Sequence, residues 1–271
     1  MKKLLLPLLC TFPLAATDLQ PWFPPPWQFI PSVEYLYQYE NTIQSPLGNF
    51  DLNNPINNLA LGMNVTVWPD WNGEIEVLFS SNPATELDFS YQATRLTGRY
   101  QWLEEGCGDW ITLTSGLTLF AVRSSFLTAT SCWFHGNFNA EFNAAVGKEF
   151  VRYDDWIMRL WSYAGLGFAN KGNPWWHSYS AWDVKIGQCS TISALLELVY
   201  GMGNNDIVPN EPFPGYAGIR HQFVNVGLGF KRSGITWGIW ELTGWYNIHA
   251  YNFPLNYYGL GIAWRMPFGC F

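Results

Sequence analysis

Leu59-Ala60-Leu61-Gly62-Met63-Asn64-Val65-Thr66-Val67 alternates strictly between apolar side chains and small or polar ones. Side chains of a β-strand leave alternate faces of the sheet. Leu59, Leu61, Met63, Val65 and Val67 therefore share one face, and Ala60, Gly62, Asn64 and Thr66 the other. Phe138-Asn139-Ala140-Glu141-Phe142-Asn143-Ala144 repeats the pattern, as does Leu260-Gly261-Ile262-Ala263-Trp264-Arg265-Met266. A soluble sandwich would bury the apolar face and wet the other. Long strands, many aromatic rings and an export signal point instead to an apolar face that meets lipid.

Composition agrees. Charged residues make up 13% of the 271-residue chain, against about 25% in a typical soluble domain. Aromatic residues reach 18%, with 16 tryptophans, a load that girdles at two bilayer interfaces would use. Lys2 and Lys3 precede an apolar run from Leu4 to Ala16. This reads as a secretory signal, residues 1–16, cut after Ala16. The run is well short of the roughly 20 residues of a membrane helix. Without Lys2 and Lys3 the chain holds 12 basic and 21 acidic residues, a net charge of −9. That balance argues against nucleic acid as a partner. Nothing in the sequence calls for a cofactor.

Residues 17–32 carry five prolines among aromatic residues and are expected to form an extended periplasmic arm. Residues 33–271 form the remaining domain. Twelve strands are expected near 33–41, 56–68, 73–81, 87–103, 110–122, 134–150, 156–169, 181–189, 192–202, 221–231, 234–248 and 256–268, with ten or fourteen as the alternative counts. Short connectors (69–72, 104–109, 152–155, 190–191, 232–233) alternate with mostly longer ones (42–55, 82–86, 123–133, 170–180, 203–220, 249–255). Short periplasmic turns on one side and longer extracellular loops on the other are the pattern of a transmembrane, antiparallel, up-and-down β-barrel. The fourth strand keeps one apolar face only if a bulge inserts a residue near Thr94-Arg95, with Phe89, Tyr91 and Ala93 together before it.

The end of the chain carries a more specific motif. Leu260, Ile262, Trp264, Met266 and Phe268 place an apolar residue at every second position up to a phenylalanine. This resembles the C-terminal signature of bacterial outer-membrane β-barrel proteins, including the porin-like ones. The resemblance implies recognition by the barrel-assembly machinery, outer-membrane lipid as surroundings and a bacterial cell outer membrane location. Phe268, not the terminal Phe271, is in phase. Four cysteines follow the signal: Cys107, Cys132, Cys189 and Cys270. Their content resembles that of barrels of bacteria that cross-link their envelopes, such as chlamydiae. Cys107 and Cys189 fall on turns four strands apart, at least ~19 Å at the usual strand spacing, whereas a disulfide needs Cα atoms within about 7 Å. Free thiols, or intermolecular disulfides to other envelope proteins, are the remaining readings.

Polar positions opposite the lipid stripes should face the interior. The charged ones are Glu34, Glu74, Glu76, Asp88, Arg95, Arg99, Glu141, Arg159, Asp183, Lys185 and Arg265. These are the candidate pore-lining residues, because buried charge without water or partners is costly. Arg95 and Arg99 opposite Glu34, Glu74 and Glu76 would set a transverse field. Carboxylates outnumber bases, so a mild cation preference is expected.

His135, His177, His221 and His249 fall at the extracellular end without ligand spacing, so no metal site is expected. His177-Ser178, and Ser131 near His135, are the only serine–histidine candidates for an outer-membrane lipid hydrolase. Adjacent strand residues point to opposite faces, so no catalytic residue is assigned. Trp175, Trp176, Tyr179 and Trp182 read as an interfacial girdle. The sequence therefore predicts an all-β membrane barrel acting as a porin-like channel for small hydrophilic solutes. A structural or adhesive surface barrel and a lipid hydrolase are the alternatives.

Overall fold

The computed structural model describes residues 19–153, 155–208, 211–234, 236–255 and 257–269. Twelve antiparallel strands close on themselves. They are β1 Gln28–Ser45, β2 Gly48–Trp68, β3 Trp71–Asn82, β4 Leu87–Leu103, β5 Thr112–Val122 and β6 Phe138–Arg152 in the first half. The second half holds β7 Asp155–Ala169, β8 Trp175–Lys185, β9 Ser190–Gly201, β10 Gln222–Gly234, β11 Gly238–Tyr251 and β12 Tyr258–Arg265. Each strand pairs with its chain neighbours, and β1 closes the ring by pairing with both β2 and β12. Short ladder segments at Phe253–Leu255 and Phe268–Gly269 lengthen this seam at its two ends. Closure is what lets a sheet sit in hydrocarbon, since an open edge would leave backbone groups unpaired there.

The two faces sort as the alternation requires. Ala60, Asn64 and Thr66 of β2 are buried inside, while Leu61 is 41% exposed outside. Ile75, Leu96, Phe142, Leu228, Leu242 and Ile262 continue the outer band on other strands. At the end carrying the chain termini, Trp68, Trp71, Trp102, Trp110 and Trp237 are exposed around the rim. Phe89, Phe138, Trp176, Tyr200 and Tyr258 do the same at the opposite end. These are the two aromatic belts expected where amphipathic rings meet the headgroups.

Several boundaries differ from expectation. The first strand opens at Gln28, not Val33, because Phe29 and Gln28 find partners on Phe268 and Gly269. The expected loop 42–55 is instead a continuation of the β1–β2 hairpin, turning at Pro46-Leu47. Ile43 in this extension is buried against Ile207 and Ile219, and that burial outweighs the loop-like run of asparagines. β8 begins at Trp175, so the connector before it is 170–174.

The bulge in β4 is present but lies earlier. Leu78 pairs with Ala93 and Phe79 with Tyr91, which leaves Gln92 as the inserted residue. Phe89 and Tyr91 are exposed, while Gln92 and Ala93 both point inward and are buried. Ala93 therefore does not share the face of Phe89 and Tyr91. The slip keeps Leu96 outside and Arg95 and Arg99 inside.

Phe268 is 48% exposed and stacks on Phe29 across the closing seam, with ring centroids 5.7 Å apart. Phe268→Ala removes that stack, worth about 1 kcal/mol, at the seam that closes the ring. It should lower the fraction of refolded protein that runs as a compact, heat-modifiable band on a denaturing gel. Leu47→Ala at the hairpin tip should leave that fraction unchanged.

Candidate functional site

The barrel interior is polar, partly aromatic and closely filled. Around Arg95 the charges of Glu34, Glu74 and Glu141 converge, and its guanidinium is in direct ion-pair contact with Glu76 on the neighbouring strand. Arg99 donates to Asn72 Oδ1 at 3.0 Å. Arginines and carboxylates thus pair along the wall between adjacent strands, and the expected field of acid on one side and base on the other does not form as such. Arg159 pairs with Glu149, Arg265 with Glu241 at 2.5 Å, and Asp183 accepts from Trp161 Nε1 at 3.0 Å. Lys185 reaches Asp155 at the rim that carries the chain termini. Asp88 is the exception: it is exposed at the start of β4, beside the 83–86 turn, and not on the inner wall.

Toward the loop end lies a second cluster that the sequence reading did not assemble. Glu141 accepts from the Tyr163 hydroxyl and from Trp175 Nε1 at 3.1 Å. His177 sits between two carboxylates, with Nδ1 3.7 Å from Glu141 and Nε2 3.4 Å from Glu197. Asn225 Nδ2 donates to Glu197 at 2.9 Å. Trp175, His177, Tyr179 and Asp183 alternate along β8 in one phase, so Asp183 could have signalled that the rings point inward. Trp175 and Tyr179 are buried inside, whereas Trp176 and Trp182 are exposed outside. The expected girdle is therefore only half of that aromatic group. His177 is a strand residue of the interior, not a loop residue.

Both ends of this interior are narrowed. From the end carrying the termini, Leu19 to Phe23 of the proline-rich arm run inside the wall. Leu19 and Trp22 pack against Leu36, Ala145, Trp161 and Tyr163. Arg99 Nη1 donates to the Gln20 carbonyl at 2.8 Å and lies over the Phe23 ring. Arg159 lies 4.7 Å from the Trp22 ring. Gly147 makes this possible: a Cβ there would sit 2.6 Å from both Pro21 Cγ and Trp22 Cη2.

From the opposite end, segment 123–137 folds inward. Its Phe126, Ala129, Cys132 and Phe134 bury against Ala60, Leu78, Ala93 and Phe120 of the inner wall. Segment 202–221 buries Tyr216 against Val199, Phe223 and Phe253. The Tyr216 hydroxyl donates to the Thr130 carbonyl at 2.8 Å and ties the two segments together. Between arm and loops, water centres have about 80 Å³ to occupy, room for roughly five waters.

No family model and no curated protein matches this chain. Solved structures do. An outer-membrane channel of Pseudomonas putida F1 superposes with a TM-score of 0.67 at 10% identity, covering 94% of this chain and 100% of the channel. The NanC porin gives a TM-score of 0.54 at 7% identity, covering 87% and 100%. This chain has the fold of the outer-membrane channels and porins.

Within that barrel the cysteines divide by exposure. Cys107 and Cys189 are exposed free thiols on turns at the end carrying the termini. Cys132 is a buried free thiol inside the inward loop. Burial pushes its pKa up to about 12, so it stays protonated and out of a partner's reach. That corrects its assignment as an intermolecular disulfide site. Cys270 lies outside the described residues, as does the signal segment. Among the described residues no group of three histidine, cysteine or acidic side chains is placed to hold a metal ion. His177 faces inward to two glutamates, Ser131 Oγ accepts from Asn82, and His135 Nδ1 faces the Asn173 carbonyl at 2.6 Å. Neither serine–histidine candidate is joined as nucleophile and base.

Gly147→Leu should expel Pro21 and Trp22 from the lumen. In the refolded barrel, chymotrypsin should then cut at Trp22 about tenfold faster or more, as it does in locally opened segments. Cleavage at the wild-type rate would show that the arm is not held by this contact.

His135 and His221, whose ring centroids are 5.3 Å apart, anchor the loop end. Burial lowers the pKa of His135 to about 4 and that of His221 to about 3, the latter with repulsion from His135. The unfolded loops take up protons near pH ~6.5 and the folded ones do not. Loop stability is therefore complete above that value and is lost as the pH falls through the range down to about 3. Protease protection of segment 202–221 should fall over this window in the wild type, and His221→Gln should flatten the dependence.

Proposed function

We propose that this chain is a porin-like channel of the bacterial outer membrane that passes small hydrophilic solutes. The observation that carries the reading is a wall of buried polar side chains running along the inside of a closed, lipid-faced barrel. Glu34, Glu74, Glu76, Glu141, Asp183 and Glu197 outnumber Arg95, Arg99 and Arg159 there. The polar strip has no role in lipid anchoring and would be costly to keep dry. The carboxylate excess favours cations over anions along the path.

A structural barrel without transport is the second reading. It is favoured by the arm and the two inward loops, which leave little free section. Catalysis is not part of either reading, since the serine–histidine candidates lie apart. The partners that fit are outer-membrane lipid around the belts and the barrel-assembly machinery at the β12 end. Other envelope proteins fit at the exposed Cys107 and Cys189.

Planar-bilayer recording of refolded protein separates the readings. Discrete conductance with a cation-selective reversal potential under a salt gradient is expected, and Arg95→Gln should raise the cation-to-anion permeability ratio. A barrel that never conducts, or conducts anions preferentially, overturns the proposal.

A further inference from the structure

The chamber enclosed between the arm and the loops holds a detail that solute passage does not explain. Gln92 is the residue inserted by the β4 bulge. Bulges recur where a side chain has to be re-aimed, and this one turns the Gln92 amide into the chamber. Gln92 is 3% exposed, and its Oε1 has no hydrogen-bond partner among the described residues. Its amide nitrogen is spoken for by the Cys132 sulfur. A buried acceptor left without a donor costs free energy comparable to a lost hydrogen bond. The chamber therefore lacks a donor at this point.

The surroundings say what kind of donor. Glu40, 1% exposed, lines the same chamber and accepts from two neutral groups, Asn54 Nδ2 at 3.0 Å and Thr130 Oγ1 at 2.8 Å. Glu197 and Glu141 share the single imidazole of His177. Arg95 lines the chamber too but is already in ion-pair contact with Glu76, and one imidazolium can neutralise one carboxylate, so negative charge remains in excess whichever form His177 takes. Trp133 closes the space with its ring 5.8 Å from that of His177, and Phe223 and Phe253 add apolar wall. Carboxylates, an unfilled amide acceptor and aromatic faces together suit a group that carries positive charge, donates N–H bonds and has an apolar body.

We propose that the chamber lined by Glu40, Gln92, Glu197 and Trp133 is a binding site for a small organic ammonium ion. The ammonium donates to Gln92 Oε1 and is held by the excess carboxylate charge, with its apolar part against the rings. A free volume of roughly five waters limits the ligand to a few carbon atoms. An anionic sugar or organic acid of the same size is excluded by charge. The proposal rests on the channel reading and narrows it to a class of solute that pauses on its way through.

The test uses n-propylammonium chloride as probe, with propionate and 1-propanol as its anionic and neutral counterparts. Each is titrated by calorimetry into the refolded, detergent-held barrel. Saturable one-to-one binding of the ammonium is expected, with both counterparts weaker by about tenfold or more, the usual worth of a charge-assisted contact. Glu40→Gln and Gln92→Leu should each weaken the ammonium about tenfold, while Asp70→Asn on an exposed turn should not. Equal affinity for the three probes, no binding, or variants that fold and bind as the wild type would overturn the proposal. If a variant fails to show the heat-modifiable folded band, the wild-type charge series decides alone. Binding without conductance in bilayers would remove the channel reading and leave the site. Conductance without binding would do the reverse.

Discussion

Hydrocarbon offers no hydrogen bonds, and every feature of this molecule follows from that. A strand in lipid must pair on both edges, so the sheet has to close. The closing contact is β1 against β12, with Phe29 stacked on Phe268 at one end and Thr42 opposite Leu255 at the other. Once the ring is shut, one face of each strand belongs to lipid and the other to whatever fills the centre. The alternation from Leu59 to Val67 is that division written in one strand.

Twelve strands enclose a space too wide to be filled by wall side chains alone and narrow enough to be filled with help. Here the help comes from both ends of the barrel. Leu19 to Phe23 enter from the end of the termini, and segments 123–137 and 211–221 fold in from the other. Arg99 and Arg159 each do two tasks, keeping a polar partner on the wall while presenting a cation to Phe23 or Trp22. Cation–π contact of this kind strengthens as water is removed, so the arm and the wall stabilise one another. The centre that remains is small, acidic and lined with rings.

His177 shows how such a centre differs from a simple charge lining. Placed between Glu141 and Glu197, with Tyr163, Trp175 and Asn225 completing their hydrogen bonds, it belongs to a network that spans β6 to β10. Networks of that kind define one arrangement of their side chains. Gln92 Oε1 stands outside it, buried and without a hydrogen-bond partner among the described residues. The bulge that puts it there also preserves the outer face of β4, so a single inserted residue serves lipid contact on one side and chamber chemistry on the other.

Local pattern was enough for the fold class, a strand count near twelve, the outer face and most of the inner one. Those depend on a period of two and on turn residues, which are local. The bulge in β4 was legible as a break in phase, and its place was not, because Gln92 and Arg95 differ only in what the neighbouring strand offers them. The folded barrel was needed to place Trp175 and Tyr179 inward, to pair Arg95 with Glu76 beside it, to put Cys132 out of reach and to seat the arm within the wall. Each of these depends on contacts between segments far apart in the chain, and neither alternation nor composition carries such distances. The barrel is a local code repeated twelve times; its interior is a set of long-range agreements among side chains, and those exist only once the ring is closed.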